Sequence, residues 1–359
     1  MSASGAPRVG NPGKSTVPEE SYHVRLGLMD GEIKACLGYV PLEISIAGRV
    51  VRGAWLGNWM ADPDQRQYGL GLLLMRQLMK EFEITLTVGA NVMARSLFNR
   101  MGWTDFGPLP RYVCVLDASE AARLTENGTL DWPVSTGSEF SGLNSQLARD
   151  NIELKAQDAG SFSTGMVDRF DGDATQLWDR EWGERVAGTR RSAEFLNWRY
   201  AEHAVLPYRL FEARRGGRLV GIAVYRIERV RDIPVRVGRI VELVAEGDAE
   251  EGLLDGVIED ARAEGVAVLD FFCTSARPVE TLSRLGFLPG ENEAAARIPM
   301  LFQPLDRRRS GILFLAYLRG QAQGGQAQGA APTTGTRAFD LRALDWYVTK
   351  GDGDQDRPN

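Results

Sequence analysis

The sequence is poor in the features that mark secreted and membrane-spanning proteins. Its 359 residues include only three cysteines, Cys36, Cys114 and Cys273, which are widely separated and show no CxxC spacing. This pattern argues against a disulfide framework and a structural zinc site, and it favours a reducing, cytoplasmic environment. No apolar run approaches the roughly 18 residues that span a bilayer. Residues 1–20 lack the apolar core of a signal peptide and are predicted to be a disordered leader.

An excess of positive charge is also missing. The chain has 42 Lys and Arg residues against 48 Asp and Glu residues, a net charge of −6, and the two signs are interspersed. Proteins that bind nucleic acid usually carry a basic stripe, so nucleic acid is not expected as a partner, and neither is a membrane. A hydrophobic fraction of 43% and a charged fraction of 25% fit a globular protein. The length allows two or three domains.

Two stretches of the chain repeat one order of elements: β-hairpin, strand, helix, strand, helix. They predict two α/β units at 21–118 and 161–305, joined by a polar connection at 119–160. A strand at 111–117, RYVCVLD, is expected to close the first unit. Residues 306–359 are predicted to be a tail with a low-complexity stretch, and the apolar patch near its end is expected to dock on the body.

Two glycines open a segment that otherwise has the pattern of an amphipathic helix. In DPDQRQYGLGLLLMRQL, residues 62–78, Gly69 and Gly71 stand at the start of a helix predicted from about 71 to 81. Glycine weakens a helix relative to alanine, so a compensating role is expected here. A strand that passes through a Gly-rich turn into a helix directs several backbone N–H groups to one point and forms an anion site. The alternative is a plain tight turn between strand and helix.

The surrounding residues resemble the GNAT superfamily of acyl-CoA-dependent N-acyltransferases. Residues 66–71, RQYGLG, match that family's R/Q-x-x-G-x-G/A pyrophosphate loop. Residues 91–103, NVMARSLFNRMGW, are similar to its second signature, N-x-x-A-x-x-L-Y-x-x-x-G-F. Both signatures stand in the family's order, and the resemblance covers residues 22–117. A dinucleotide-binding G-x-G-x-x-G fails because the third glycine is missing and the preceding strands form a meander.

The resemblance implies an α/β fold of two tandem GNAT-like mixed-sheet units, with acetyl-CoA or another acyl-CoA as cofactor. The loop that would hold the pyrophosphate consists of Arg66, Gln67, Tyr68, Gly69, Leu70 and Gly71. The strand before it would bind the pantetheine arm through the backbone of Trp59, Met60 and Ala61, and one of these N–H groups would polarise the thioester carbonyl. Asn91 would also bind the arm; its alternative role is an ordinary helix N-cap.

The residues that usually carry acid–base chemistry in this family are missing. The family's proton-donating tyrosine corresponds to Phe98, and residues 51–61, where some members have a glutamate, contain no carboxylate. Acyl transfer needs a deprotonated amine and a proton for the leaving thiolate. Glu43 and Tyr112 are candidate substitutes that also fit half-exposed strand positions, and His23 is isolated. The catalytic residues therefore stay unassigned, and no metal is predicted.

Each unit is incomplete in a different way. Residues 1–21 are too short and polar to supply the strand and two helices that begin a family domain, so the first unit is N-terminally truncated. The second unit has helices at 174–203 that match the missing region. Its turn, LVAEGDAEEGLLDG, lacks the loop pattern and contains three acidic residues that repel a pyrophosphate: Asp248, Glu250 and Glu251. We expect the cofactor in the first unit and a wall of the acceptor cleft from the second.

Two aromatic groups have open assignments. Trp55, Trp59 and Trp103 suit an acceptor pocket and the hydrophobic core equally well. The triplet Trp198-Arg199-Tyr200 belongs either to the acceptor cleft or to ordinary helix packing with a surface arginine.

These patterns favour an acyl-CoA-dependent N-acyltransferase, with acetyl as the acyl group and a small amine such as an amino sugar or amino acid derivative as acceptor. The alternative is a non-catalytic protein that binds acyl-CoA or a partner through degenerate GNAT folds, which Phe98 favours. A third class, the Fem-type aminoacyl transferases, also uses two such folds but takes aminoacyl-tRNA. The loop pattern and the net charge of −6 argue against it.

Overall fold

The computed structural model describes residues 22–133, 162–307, 311–320 and 340–353. The predicted leader at 1–20, most of the connection at 119–160 and most of the low-complexity stretch lie outside these ranges. Among the described residues, strands and helices alternate in two mixed sheets, which confirms the predicted α/β class.

The first sheet has seven strands, six of them in the order β1–β2–β3–β4–β16–β5, and the short β8 pairs with β2. Only β3 and β4 run parallel; the other pairs are antiparallel. The turn between β2 and β3 uses positive φ angles at Ala47 (47°) and Gly48 (79°), which is typical of a tight hairpin. The strands are His23–Met29 (β1), Glu32–Ile46 (β2), Arg49–Ala61 (β3), Ile84–Val88 (β4), Thr104–Pro108 (β5), Gly188–Thr189 (β8) and Leu313–Leu318 (β16).

The second sheet also has seven strands, in the order β13–β6–β12–β11–β10–β9–β7. Its one parallel pair is β11 and β12, the counterpart of β3 and β4. A separate two-stranded hairpin joins β14 (Leu301–Phe302) to β15 (Leu305–Asp306). The strands of the second sheet are Arg111–Val115 (β6), Ser163–Val167 (β7), Tyr208–Arg215 (β9), Arg218–Arg229 (β10), Arg236–Ala245 (β11), Val266–Phe272 (β12) and Leu288–Pro289 (β13).

The two units exchange a strand. The strand predicted at 111–117 is present as β6, but it pairs with β12 and β13 of the second sheet, so the expectation that it closes the first unit was wrong. Its place in the first sheet is taken by β16, which inserts between β4 and β5 from the segment predicted to be a tail. The physical reason is the short connection Leu109–Pro110, which crosses from one sheet to the other. The predicted limits of the two units remain a prediction. β6 lies inside the first predicted unit but belongs to the second sheet, and β16 lies after the second predicted unit but belongs to the first sheet.

The helices cover the sheets on both sides. Helices α1 and α2 pack on one face of the first sheet through Leu74, Met75, Leu78 and Phe98. The opposite face shares a continuous core with the second sheet and with α4 and α5. The helices are Leu70–Glu81 (α1), Val92–Arg100 (α2), Ala118–Ala122 (α3), Asp173–Glu181 (α4), Ala193–Leu196 (α5), Ala249–Ala263 (α6) and Val279–Arg284 (α7), and a π-helical turn at Asn197–Ala201 extends α5.

Among the described residues, the first unit has fewer elements than the second. In the second unit, strand β7 and helices α4 and α5 precede the β9–β10 hairpin. In the first unit the described chain reaches the equivalent β1–β2 hairpin after a single residue, Tyr22. The fold is therefore a tandem of two mixed-sheet units, of which the first lacks these leading elements within the described residues.

Candidate functional site

A gap opens in the first sheet between its two parallel strands. β3 and β4 pair from Gly53 and Ile84 as far as Trp55 and Leu86, and β3 then continues to Ala61 without β4 as a neighbour. A β-bulge lies just beyond this point, because Gly57 and Asn58 together oppose Gly38 of β2. A bulge bends its strand and increases the local twist, which turns β3 away from β4.

The backbone of β3 supplies hydrogen-bond donors to this gap. The Asp62 N–H donates to the Lys34 carbonyl at 2.8 Å, and the register makes Met60 and Cys36 the next hydrogen-bonded pair. Met60 therefore directs its N–H to β2, whereas Trp59 and Ala61 direct theirs to the gap. Of the three predicted backbone donors, Trp59 and Ala61 have the orientation that a ligand in the gap requires.

The chain leaves β3 through a tight turn that ends at Gly69. A 3-10 turn covers Pro63–Tyr68, and Gly69 has a left-handed backbone with φ 67° directly before α1. Gly69 has no side chain to cap the helix, and the first turn of α1 contains no acidic residue. The N–H groups at this end and the positive end of the helix dipole therefore suit an anion. The side chains of Gln65, Arg66 and Gln67 lie outside the described part, so the role of Arg66 in holding a pyrophosphate stays a prediction.

The two glycines of the loop have different physical roles. Gly69 is needed for its positive φ, and open space surrounds the position that a Cβ would take. Gly71 is needed for a close approach, since a Cβ there would lie 3.1 Å from Nε1 of Trp59. The Trp59 indole N–H donates to the Gly71 carbonyl at 3.1 Å. The side chain of Trp59 therefore ties the end of β3 to the first turn of α1.

Helix α2 begins beside the gap with the predicted residue Asn91. The Asn91 Oδ1 accepts a hydrogen bond from the Ala94 N–H at 2.9 Å, so Asn91 is the N-cap of α2. This is the alternative role that the sequence left open, and the Nδ2 amino group is the part of the side chain that remains as a donor toward a ligand. Contact with a pantetheine arm stays a prediction.

Aromatic rings close the helix-covered side of the gap. Phe98 is 3% exposed and packs against Trp59 and Trp103, with ring centroids 5.4 and 4.6 Å away. Tyr317 of the exchanged strand β16 adds a fourth ring, 6.1 Å from Trp103. Trp103 and Trp55, 5% and 1% exposed, belong to the core, and Trp59, beyond the last pair of β3 and β4, is the one of these three tryptophans that is partly exposed. Phe98 therefore serves packing at the position where the family has a phenol.

The candidate acid–base residues from the sequence are not at this gap. Glu43 is opposite Arg52, toward the far end of β3, and its carboxylate pairs with Arg190 at 2.9 Å. Tyr112 lies on β6 in the second sheet. His23 stacks on Tyr39 with ring centroids 5.4 Å apart. The thiol of Cys114 is a poor nucleophile, because burial raises its pKa to about 12.

The second unit has a gap at the equivalent place, and the chain itself fills it. β11 and β12 pair only as far as Ile240 and Phe271. Beyond this point the hydroxyl of Tyr347 accepts from the Leu243 N–H at 3.0 Å, and the Thr349 hydroxyl donates to the Val241 carbonyl at 2.7 Å. The predicted docking of the C-terminal segment thus occurs in this gap, where it already pairs with the Leu243 N–H and the Val241 carbonyl of β11.

The helix after β11 differs from α1 as the sequence predicts. Asp248 and Glu251 pair with Arg215 and Arg284, and Glu250 is buried at the start of α6, where burial raises its pKa. These carboxylates occupy the end of α6 where an anion would bind. The described structure therefore provides one open gap with an anion-compatible helix start, in the first unit.

A buried polar network links the two gaps, and sequence reasoning missed it. The Trp55 indole N–H donates to the Thr189 hydroxyl at 2.8 Å, which donates to Asp352 at 2.6 Å. Arg191 then joins Asp352, at 2.7 Å, to Glu242, at 3.1 Å. Its partners are spread along the chain, so spacing gives no signal. Only the alternation in WYVT, residues 346–349, could have indicated a strand-like segment.

The C-terminal segment also reaches the first gap. A Cβ on Gly353 would lie 2.4 Å from Val88, the last residue of β4. Arg199 of the predicted aromatic triplet fixes this end of the chain by donating to the carbonyls of Gly351 (2.8 Å) and Gly353 (3.1 Å). The second unit and the segment docked in it therefore contribute to the side of the first gap that faces away from α1 and α2.

Two further properties concern the described residues alone. They contain no group of three or more His, Cys, Asp or Glu side chains with a geometry suited to a metal ion. None of their helices is long and apolar enough to span a membrane.

Comparison with known proteins places the fold. No protein-family model and no curated protein matches the sequence. A GCN5-related N-acetyltransferase from Anabaena variabilis is similar in structure, with a TM-score of 0.50 and 12% identity over 82% of this chain. A probable N-acyltransferase from Enterococcus faecalis has a TM-score of 0.53 and 11% identity over 83% of this chain. The chain spans 62% of the length of each of these proteins. At such identities the likeness defines the fold, which is the GNAT fold that the two sequence signatures predict.

Proposed function

We propose, from the premise that the chain has the GNAT fold, that this protein is an acyl-CoA-dependent N-acyltransferase with its cofactor site in the first unit. The observation that carries the proposal is the gap between β3 and β4, together with the uncapped start of α1 at Gly69, which the chain reaches directly after β3 and its turn. Such a helix start suits a pyrophosphate, and the N–H groups of Trp59 and Ala61 suit an extended arm with amide groups.

The gap also offers one of the elements that acyl transfer needs. A backbone N–H aimed at a thioester carbonyl stabilises the negative charge that develops on its oxygen. The acyl group that we favour is acetyl, and the acceptor that we favour is a small amine such as an amino sugar or amino acid derivative. We place the activity in a reducing cytoplasm, in keeping with the free thiols of Cys36, Cys114 and Cys273.

A titration with acetyl-CoA tests the cofactor site. Gly69→Val should weaken binding strongly, because a branched side chain is strained at φ 67° and the N–H groups move. Gly216→Val is the matched control: Gly216 also has a positive φ, 56°, and open space around it, but it lies in the β9–β10 turn. Both variants should lose stability, and only Gly69→Val should lose affinity. Equal affinities for the two variants would place the cofactor elsewhere.

Thiol release with a panel of amines tests the reaction. Thermal unfolding with acetyl-CoA and longer thioesters ranks the cofactors, because a ligand at 100 times its Kd stabilises the folded state by about 2.7 kcal/mol. A second candidate function is acyl-CoA binding without turnover, which the buried Phe98 favours. Binding of acetyl-CoA with no thiol release for any amine supports that second function.

A further inference from the structure

Tyr22 lies across the bulge that opens the gap. Its hydroxyl oxygen is 3.3 Å from both the backbone nitrogen and the Nδ2 of Asn58, which donate to it. The ring occupies a cradle formed by two glycines: a Cβ on Gly38 would be 1.8 Å from the hydroxyl oxygen, and a Cβ on Gly57 would be 2.9 Å from it. Any larger residue at either position would displace the phenol, so the sheet is shaped to accept this ring.

The phenol is on the face of the first sheet that α1 and α2 do not cover. Trp55 lies two residues before Gly57 on the same face of β3 and belongs to the core between the sheets, on the side away from α1 and α2. The helix-covered side is closed by the rings of Trp59, Phe98 and Trp103. We therefore expect an amine to approach from the face on which Tyr22 lies.

The reacting group of a bound thioester would lie near this phenol. The gap is closed at Trp55 and Leu86, where the pairing of β3 and β4 ends. At its open end, β3 finishes at Ala61, and the anion-compatible start of α1 follows after Gly69. From Ala61 to Gly57 the strand advances about 13 Å, at roughly 3.3 Å per residue, a span that an extended pantetheine arm covers. A cofactor anchored at Gly69 thus brings its thioester to the bulge.

We propose that Tyr22 is the catalytic acid of this enzyme and supplies the hydroxyl that is missing at Phe98. The inference rests on the proposed acyltransferase function. Because two N–H donors already point at the phenol oxygen, its own hydrogen is directed to another acceptor, and the same donors stabilise the oxygen after that hydrogen leaves.

The proton balance closes without a further reactant. The amine nitrogen attacks the thioester carbon, a C–N bond forms, and the C–S bond breaks. The departing sulfur takes the proton of Tyr22, and the phenolate then takes a proton from the nitrogen. The products are an amide and the CoA thiol, and Tyr22 returns to its starting state.

Tyr22→Phe is the decisive variant, because it keeps the ring in the glycine cradle and removes only the hydroxyl. The experiment measures its dissociation constant for acetyl-CoA and its rate of thiol release. Thiol release is followed both with an amine acceptor and without one, where water hydrolyses the bound acetyl-CoA. The rate should fall about a hundredfold or more, the usual contribution of a general acid, while the dissociation constant stays within twofold. Tyr112→Phe, in the second sheet, is the matched control and should leave both quantities unchanged.

The outcomes separate this inference from the proposed function. If wild-type protein and Tyr22→Phe release thiol at the same rate, Tyr22 is not the acid, and the acyltransferase function stands. If Tyr22→Phe binds acetyl-CoA more tightly and reacts faster, Tyr22 blocks the site and the inference is overturned. If the wild-type protein binds acetyl-CoA without turnover, both catalytic assignments fail. If the wild-type protein does not bind acetyl-CoA, the proposed function fails, and the inference that rests on it is overturned as well.

Discussion

Removal of the Arg191 charge should strongly destabilise the interior of this protein. Arg191 and its partners Glu242 and Asp352 all have side chains that are 0% exposed. Arg191→Met keeps much of the volume but leaves two buried carboxylates without a cation. Breaking a buried ion pair from one side costs about 3–5 kcal/mol of stability, because the remaining charge stays in a poorly solvating environment.

The neighbouring arginine is a matched control. Arg190 pairs with Glu43 and Asp179, whose side chains are 55% and 45% exposed. Ion pairs that water reaches contribute about 0–1 kcal/mol, so Arg190→Met should cost no more than that. Denaturant unfolding, followed by circular dichroism, gives both free energies under one set of conditions.

The loss should also depend on pH with a defined sign. Burial raises the pKa of Glu242, and removal of Arg191 takes away the main opposing effect. The folded variant then holds a proton that the unfolded chain releases near the ordinary glutamate value of about 4.3. The contribution of this group to the stability of the variant is therefore greatest at low pH and is lost as the pH rises through the raised pKa. The deficit relative to wild type should be larger at pH 8 than at pH 5. Equal losses for Arg191→Met and Arg190→Met, or a deficit that shrinks as the pH rises, would refute this reasoning.

Three further predictions concern the loop, the filled gap and the thiols. Gly69→Ala should destabilise the fold by about 1–2 kcal/mol in a thermal or denaturant assay, the cost of a left-handed residue with a Cβ; an unchanged midpoint would contradict the assigned backbone. Isothermal titration should give one CoA per chain, and Tyr347→Phe should keep this number while costing about 1–3 kcal/mol through unpaired backbone groups in the second gap; a second bound CoA in wild type would be incompatible with the filled gap. A thiol reagent should modify the half-buried Cys36 in native protein and reach the buried Cys114 and Cys273 only after denaturation; rapid reaction of all three would contradict their burial.

The sequence determined the local elements and the cofactor loop because these depend on neighbours in the chain. The apolar spacing in residues 70–81 predicts α1. Gly69, directly before this helix, has the left-handed backbone that glycine favours. Asn91 is a residue type that caps helices, and the structure places it at the start of α2. The two family signatures are likewise local patterns, and they predicted the GNAT fold that the structural comparisons show.

Tertiary structure alone decided which strand belongs to which sheet and what fills each gap. β6 and β16 both have the composition of buried strands, and no local pattern states that they exchange places, because pairing depends on partners far away in sequence. The same holds for Tyr347 in the second gap and for Tyr22 across Gly38 and Gly57. A glycine in a strand indicates a site where another group approaches closely. Only the folded chain determines whether that group is a side chain, a ligand or another strand.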